Sequence, residues 1–393
     1  MFGYIKNIPY PIWLITCAHA AADLAAGALF VALPFFRAKF GLNYAELTAI
    51  VLLQNFTSSV SQPVFGYFSD RKARPFWMPL GCFITGAMML VSLLVPTYSL
   101  VLFCTAVSGL GSAAFHPEGA KMVNRLSGNS KGKGASLFSV GGNAGFAFGS
   151  LFLGILLVNS ASMWVLFVCP NILISVLLLL AEKQFIRLPQ EKSTGKSKLQ
   201  ININFSLFAL LGMVLLRSTV NSGISTFVPL YYTSSLHGSS FYAAYLLTVY
   251  LAAGAVGTLM GGLLSDRYGS KRVMIFSILP IALLLYLFKM AGGIWVFLLL
   301  ALVSVLLAAT FTSSLVLSQK MMPDNIGMAS GLTLGFSIGL GAMGVLALGQ
   351  VADLQGVSSV FNLLLVLPIF CFVLTLFVQN ADELAAQPAI SKD

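Results

Sequence analysis

A few ionisable side chains lie inside stretches that are otherwise apolar, and these residues could do chemistry. His19 and Asp23 are four residues apart in the first such stretch, so a helix would place them on one face. His116 and Glu118 lie in a second stretch, and Arg217 lies in a third. A charge within a bilayer costs about 2.5–3.5 kcal/mol, so such residues are retained mainly for function. Histidines and carboxylates can carry protons, and an arginine can bind an anion.

Uncharged polar residues in the same or neighbouring stretches could complete a binding site around these groups. Asn221 follows Arg217 by four residues, and Phe30 lies on the same predicted face as Asp23. Many polar side chains in membranes only form hydrogen bonds between helices, which is the structural alternative. The candidate proton-coupling residues are Asp23, His19, Glu118 and His116. The candidate substrate-binding residues are Arg217, Asn221, Gln54, Ser58, Asn143, Ser139 and Phe30.

Each ionisable residue also has a purely structural interpretation. Asp23 and Arg217 could form a buried ion pair or hydrogen bonds between helices, with no part in a function. His19 could orient Asp23 instead of carrying a proton itself. Glu118 could contact the basic end of its own helix, which holds Lys121. Residue types and spacing alone leave these alternatives open.

The composition identifies a membrane as the environment that surrounds these residues. The chain of 393 residues is 58% hydrophobic and only 9% charged, with a mean hydropathy of +0.91. A hydrocarbon core about 30 Å thick needs about 20 apolar residues for each crossing helix. Apolar stretches of that length predict an all-α polytopic membrane protein with twelve transmembrane helices, joined by connections too short to hold a soluble domain.

The sequence Gly-x-x-x-Asp-Arg occurs twice, at Gly66–Arg71 and at Gly262–Arg267, about half a chain apart. Duplicated halves in a membrane chain are typical of transporters built from two bundles around a central site. Each copy ends an apolar stretch at the same predicted membrane face, so the two halves are parallel repeats of six helices. The glycine would let two helices close, and the aspartate would accept from N–H groups at a helix start or pair with an arginine. The predicted cytoplasmic gate therefore consists of Gly66, Asp70, Arg71, Gly262, Asp266 and Arg267.

A polar linker divides the chain into two halves. The predicted first six-helix bundle is 1–182, and the cytoplasmic linker is 183–203. The second bundle is 204–379, followed by a cytoplasmic tail at 380–393. Two sets of glycines at four-residue steps favour close helix packing, namely Gly141, Gly145 and Gly149, and Gly331, Gly335 and Gly339.

The basic residues predict an orientation and argue against a nucleic-acid partner. The formal net charge is +10, and most of the 22 Lys and Arg residues lie in alternate loops and in the tails. That distribution places both termini in the cytoplasm, with the lipid bilayer as the surrounding partner. A Walker A loop would need glycine where Gln190 stands, and no zinc spacing or nucleophile arrangement is present. We therefore expect no enzyme, no metal and no cofactor, and we expect a monomer.

Several segments resemble known families. The two Gly-x-x-x-Asp-Arg copies resemble the signature of the major facilitator superfamily. Within that superfamily, His19–Asp23, Phe115–Lys121, 136–145, 319–332 and Gly349–Asp353 are similar to motifs of the fosmidomycin-resistance family of drug exporters. The similarity extends from the first predicted helix to the twelfth.

The resemblance implies the major facilitator fold, with two bundles related by a parallel pseudo-two-fold repeat. It also implies a proton-coupled antiporter of the bacterial inner membrane that exports small anions such as phosphonate antibiotics. His19, Asp23, His116 and Glu118 match motif positions of the family, and Arg217 lies where the family places a cation. The chain departs from the family of antiporters at 149–150, where Gly-Ser replaces the usual Gly-Pro.

Other functions fit the same residues. The alternatives are an importer or symporter of a small organic anion, a multidrug exporter of lipophilic compounds, and a membrane sensor that transports nothing. If the chain is an antiporter, the proton gradient is its energy source. In that case, Arg217 would bind the substrate anion and Asp23 would exchange a proton.

Overall fold

The computed structural model describes residues 9–71, 75–127, 131–186, 205–235, 238–322, 333 and 337–379. These residues form helices and short connections, and no strand occurs among them. The first bundle contains α1 (Tyr10–Phe40), α2 (Tyr44–Arg71), α3 (Trp77–Leu94), α4 (Tyr98–Leu126), α5 (Lys131–Leu157) and α6 (Cys169–Ile186), with a 3-10 helix at Ala161–Val168 before α6. The second contains α7 (Phe205–Ser234), α8 (Ser240–Tyr268), α9 (Ser270–Ile278), α10 (Ile281–Met290), α11 (Ile294–Met321), α12 (Ser337–Gln355) and α13 (Val357–Leu376).

Ten helical segments in the described part are long and apolar enough to cross a membrane. Helices α9 and α10 together form one of these crossings, Ser270–Met290. Helix α2 and the described part of α12 are not among these ten. Both are helical, and they pack against each other across the two bundles. The helical membrane architecture predicted from the sequence is therefore confirmed.

Glycines allow α1 and α5 to pack at backbone contact. A Cβ atom at Gly145 would lie 2.0 Å from the carbonyl oxygen of Ala20, and one at Gly149 would lie 2.0 Å from that of Leu24. Gly141 faces α1 in the same way one turn earlier. This confirms the packing role predicted for the first glycine set. In the second set, Gly331 and Gly335 lie outside the described residues.

The two bundles share one apolar core at the face where α1 ends and α2 begins. This core contains Phe36 and Leu47 from the first bundle together with Phe227, Leu300 and Phe361 from the second. Helices α5 and α8 meet there, and the hydroxyls of Ser150 and Thr248 lie 2.7 Å apart. We call this face the closed end.

At the opposite face, each bundle has its own apolar cluster in the described residues. One cluster contains Ile15, Phe115 and Phe185 of the first bundle. The other contains Met213 and Met274 of the second bundle. We call this face the split end, and both Gly-x-x-x-Asp-Arg copies lie on it, at the ends of α2 and α8. The bundles are therefore joined at one end of the molecule and packed separately at the other. The predicted linker falls mostly outside the described residues, so its boundaries stay predictions.

Candidate functional site

Three ionisable side chains meet in the first bundle. His19 Nε2 lies 3.2 Å from Oδ2 of Asp23, one helical turn away on α1. His116 reaches from α4 and places its Nε2 3.2 Å from Oδ1 of the same carboxylate. The two Nε2 atoms are 3.1 Å apart. Each of the three side chains thus contacts the other two, and we call these residues the proton triad.

Backbone carbonyls fix the orientation of both imidazole rings. Nδ1 of His19 lies 2.7 Å from the carbonyl oxygen of Phe138 on α5. Nδ1 of His116 lies 2.8 Å from the carbonyl oxygen of Ser112, one turn earlier on α4. A carbonyl oxygen can only accept, so each Nδ1 must carry a hydrogen and donate it. In the neutral form of each ring, Nε2 then presents a lone pair to the centre of the triad.

The hydrogen-bond geometry of the proton triad favours at least one shared proton. Without one, two nitrogen lone pairs and a carboxylate would face one another at contact distance. One proton on His19 or His116 creates a charge-assisted hydrogen bond to Asp23 and makes the group neutral overall. Loss of that proton would leave the partly buried carboxylate without a positive charge beside it, which is unfavourable. The arrangement is therefore chemically suited to holding a shared proton.

Aromatic rings and a glycine enclose the proton triad. The ring of His19 stacks on Phe138 with 3.9 Å between the centroids, and Phe115 packs against both histidines. Gly142 of α5 packs directly against His19 and Asp23 of α1. A Cβ atom there would come within 2.5 Å of His19 Cε1 and 2.8 Å of Asp23 Oδ2. The close approach of α5 therefore restricts access to the triad from that side.

Glu118 is the remaining predicted proton carrier. Its residue is 0% exposed in α4. It follows His116 by two positions, which turns it about 200° around the helix at about 100° per residue. The structure therefore brings His19, Asp23 and His116 together, and Glu118 takes a different side of α4.

A small polar cavity lies beside the proton triad within the first bundle. It is lined by Ala22, Ala25, Ala26, Gln54, Asn55, Ser58, Thr85, Ser108 and Ser112. Ser58 of α2 donates to the hydroxyl of Ser112 at 3.2 Å, and Ser112 is also the backbone partner of His116. Gln54 and Ser58, which the sequence predicted as substrate contacts, therefore lie on a cavity that adjoins the triad.

Arg217 is the ionisable group at the centre of the second bundle. It is 5% exposed on α7, and its guanidinium carbon lies 4.9 Å from the ring centroid of Phe311 on α11. In the described part of the chain, Nε has no hydrogen-bond partner and no carboxylate pairs with the guanidinium. A buried cation without a counter-ion is costly, so this position favours an anionic ligand. The alternative of an Asp23–Arg217 ion pair is not found, since Asp23 pairs with the two histidines.

The other predicted substrate contacts are spread over several environments. Asn221 lies one turn after Arg217, and its Oδ1 accepts from the hydroxyl of Tyr250 at 2.8 Å. Asn143 is half-buried on α5, whereas Ser139 is exposed. Phe30 is buried in the shared core at the closed end, with its ring 6.0 Å from that of Phe146. Their roles in binding stay predictions.

The predicted gate residues lie at the split end. Gly66 and Gly262 make only ordinary contacts: a Cβ atom at Gly66 would lie 3.8 Å from Pro117, and one at Gly262 3.7 Å from Thr312. Asp266 and Arg267 are exposed, and the side chains of Asp70 and Arg71 lie outside the described residues.

The proton triad is also a possible metal site. In the described chain, His19, Asp23 and His116 are the only group whose potential ligand atoms all lie within 4.8 Å of one another. Linear spacing did not predict this grouping, because His116 comes from another helix. Sequence reasoning also missed Ser112, although its place one turn before His116 was a usable signal. The Phe138 carbonyl gave no signal in the sequence, since every residue has one.

Comparison with known proteins identifies the family. A model of the Major Facilitator Superfamily matches residues 15–210 and 210–392. The chain is 30% identical over 372 residues to the uncharacterised MFS-type transporter YfnC of Bacillus subtilis (strain 168), covering 92% of this chain and 91% of that one. It is 28% identical over 374 residues to the fosmidomycin resistance protein of Escherichia coli (strain K12), covering 93% and 92%.

The fold agrees with this assignment. The crystal structure of the nucleoside transporter NupG matches with a TM-score of 0.78 at 14% identity, covering 94% of this chain and 100% of that one. The sequence resemblance to the fosmidomycin-resistance group is thus confirmed over nearly the whole length, as is the two-bundle fold. The chain is a multi-pass membrane protein that belongs to the Major Facilitator Superfamily.

Proposed function

We propose that this chain is a proton-coupled antiporter that exports a small anion from a bacterial cell by alternating access. The proton triad carries this proposal, because His19, Asp23 and His116 form a partly buried group whose close contacts a shared proton would satisfy. Similarity to a fosmidomycin resistance protein supports drug export, and phosphonates are the class of anion we assign.

Arg217 supplies the substrate side of the proposal. Its buried guanidinium lacks an acidic partner in the described residues, and the anionic group of a substrate would provide one. The cavity that contains Gln54 and Ser58 offers neutral hydrogen-bonding groups for the rest of the molecule. Proton and anion would therefore bind in different bundles, and the transition between states would couple them.

The orientation follows from the distribution of charge. With the termini in the cytoplasm of the inner membrane, as the basic loops predict, the split end faces the cytoplasm and the structure is inward-facing. An anion leaving a negative interior is aided by the membrane potential. At about 150–180 mV, each charge moved contributes about 4 kcal/mol, or nearly a thousandfold gradient.

Transport into inside-out membrane vesicles tests the proposal. An acidic vesicle interior should drive uptake of fosmidomycin by the wild type. Asp23→Asn should abolish this pH-driven uptake, because the amide cannot exchange a proton with His19 or His116. The variant should still exchange fosmidomycin across the same membranes without a pH gradient. This exchange is the control that the variant is folded.

The same assay separates the alternatives. Full pH-driven uptake by Asp23→Asn would disprove the role of this carboxylate. Uptake only in right-side-out vesicles would instead indicate a symporter or importer. Preference for lipophilic cations over fosmidomycin would indicate a multidrug exporter, and it would remove the role given to Arg217. Repeating the assay with and without a chelator tests whether a metal occupies the triad. Loss of pH-driven uptake on chelation would contradict the proton assignment.

A further inference from the structure

A third Gly-x-x-x-Asp sequence, Gly349–Asp353, lies near the end of α12 at the closed end. It lacks the following arginine, and the resemblance to a family motif gave it no role. The proposed transport chemistry does not use it either. Its contacts to the other bundle show what it does.

Asp353 binds the first turn of α2 across the bundle interface. Its Oδ1 accepts from the backbone N–H of Tyr44 at 2.7 Å, and its Oδ2 accepts from that of Ala45 at 2.9 Å. The first N–H groups of a helix have no partner within the helix, and the positive end of the helix dipole favours a carboxylate. One side chain of the second bundle thus caps a helix of the first.

The other N–H groups at the start of α2 bond to side chains of the same segment, Asn43 and Glu46. Asn43 Oδ1 accepts from the N–H of Glu46 at 2.8 Å, and Glu46 Oε2 accepts from the N–H of Asn43 at 2.9 Å. This reciprocal pair is a capping box. The capping box provides no acceptor for the N–H groups of Tyr44 and Ala45. Asp353 accepts hydrogen bonds from both of them.

Gly349 allows Asp353 to reach α2. A Cβ atom at this position would lie 2.3 Å from Thr48 Oγ1 and 2.9 Å from the carbonyl oxygen of Tyr44. Any larger residue would therefore push α12 away from α2. The glycine and the aspartate act together, since the close approach of the helices brings the carboxylate to the N–H groups.

Tyr44 extends the same contact to further helices. Its hydroxyl donates to Ser234 Oγ of α7 at 3.1 Å, and the guanidinium carbon of Arg37 lies 4.3 Å from its ring centroid. The turn capped by Asp353 is therefore held to the second bundle by side-chain and backbone groups alike.

We propose that Gly349 and Asp353 form the gate of the closed end. The sequence assigned the same chemistry, a close glycine and a capping aspartate, to the split end, where Gly66 and Gly262 make only ordinary contacts. Opening the closed end must break the hydrogen bonds from the N–H groups of Tyr44 and Ala45 to the Asp353 carboxylate. The strength of this contact therefore sets the population of the state open at the closed end. The inference needs alternating access only, and it is independent of proton coupling and of the substrate.

Distances between spin labels on the two bundles test this gate. Labels at Ser99 and Ser358, both exposed near the closed end, report its separation in reconstituted full-length protein. The background should have its five native cysteines replaced by alanine. In Asp353→Asn, the ratio of open (long-distance) to closed (short-distance) molecules should rise by about tenfold. The amide has one acceptor oxygen instead of two and carries no charge. Leu354→Ala, at a neighbouring position that is 83% exposed, is the matched control and should change nothing.

A second pair of variants keeps the test independent of one substitution. Gly349→Ala should shift the distances in the same direction, because its methyl group meets Thr48. Adding Thr48→Ala removes the nearest contacting atom and should restore part of the short-distance population. If Asp353→Asn and Gly349→Ala both keep the wild-type distribution, or shift it toward short distances, the gate assignment is wrong. Such a result would leave the proton and anion assignments untouched.

Discussion

The polar centres of the two bundles differ in whether they are complete. In the first bundle, the side chains of His19, Asp23 and His116 are hydrogen-bond partners of one another. In the second, Arg217 is buried without an acidic partner in the described chain. A complete site can change its proton content without a ligand, whereas an incomplete one is satisfied only when a ligand arrives. Under the proposed function, the two halves of the duplicated scaffold would thus carry the two tasks that an antiporter must couple.

The helices also pack differently around the proton triad and around Arg217. Glycines of α5 bring that helix against the backbone of α1, so the proton triad is held in a tight space. Arg217 packs instead on the ring of Phe311, and its neighbour Asn221 is held by Tyr250. An aromatic ring supports a guanidinium without neutralising it, which leaves its charge for a ligand.

The largest effect should come from removing the cation of the second bundle. Arg217→Gln should weaken fosmidomycin binding by about 100-fold, as expected for loss of a buried charge-assisted hydrogen bond of about 3 kcal/mol. Binding of a neutral analogue should change much less, and calorimetry on purified protein measures both. Tyr250→Phe removes a hydroxyl near the same site without removing charge, so it should cost only a few-fold. Equal losses for anionic and neutral compounds would contradict the anion assignment.

A smaller effect should come from crowding the triad of the first bundle. Gly142→Ala should lower stability by about 1–3 kcal/mol, because the added methyl group overlaps His19 and Asp23. Thermal unfolding in detergent measures the change. Gly212→Ala is the matched control on α7, where a methyl group would lie 3.4 Å from the flexible end of Leu374. If the two variants unfold alike, α5 does not press on the triad as described.

Local sequence patterns predicted the parts of the site that lie on one helix. The four-residue spacing of His19 and Asp23 placed them on one face, and the glycine steps predicted the close packing of α5. Helix geometry could also have separated His116 from Glu118, since residues two apart point to different sides.

The contacts between helices could not be predicted from one sequence. His116 reaches Asp23 from α4, and Asp353 reaches Tyr44 from the other bundle. Such pairs depend on the register of whole helices, which many weak packing contacts fix together. That no carboxylate pairs with Arg217 among the described residues is equally a property of the assembled fold, because a partner could have come from any neighbouring helix.

Proton release on substrate binding tests the central claim most directly. Fosmidomycin added to purified protein in weakly buffered solution with a pH dye should release protons from the wild type as it binds. Asp23→Asn should bind fosmidomycin without this release, because its triad has no carboxylate to exchange a proton with His19 and His116. Undiminished release from Asp23→Asn, or no release from the wild type at any pH between about 5 and 8, would contradict the account.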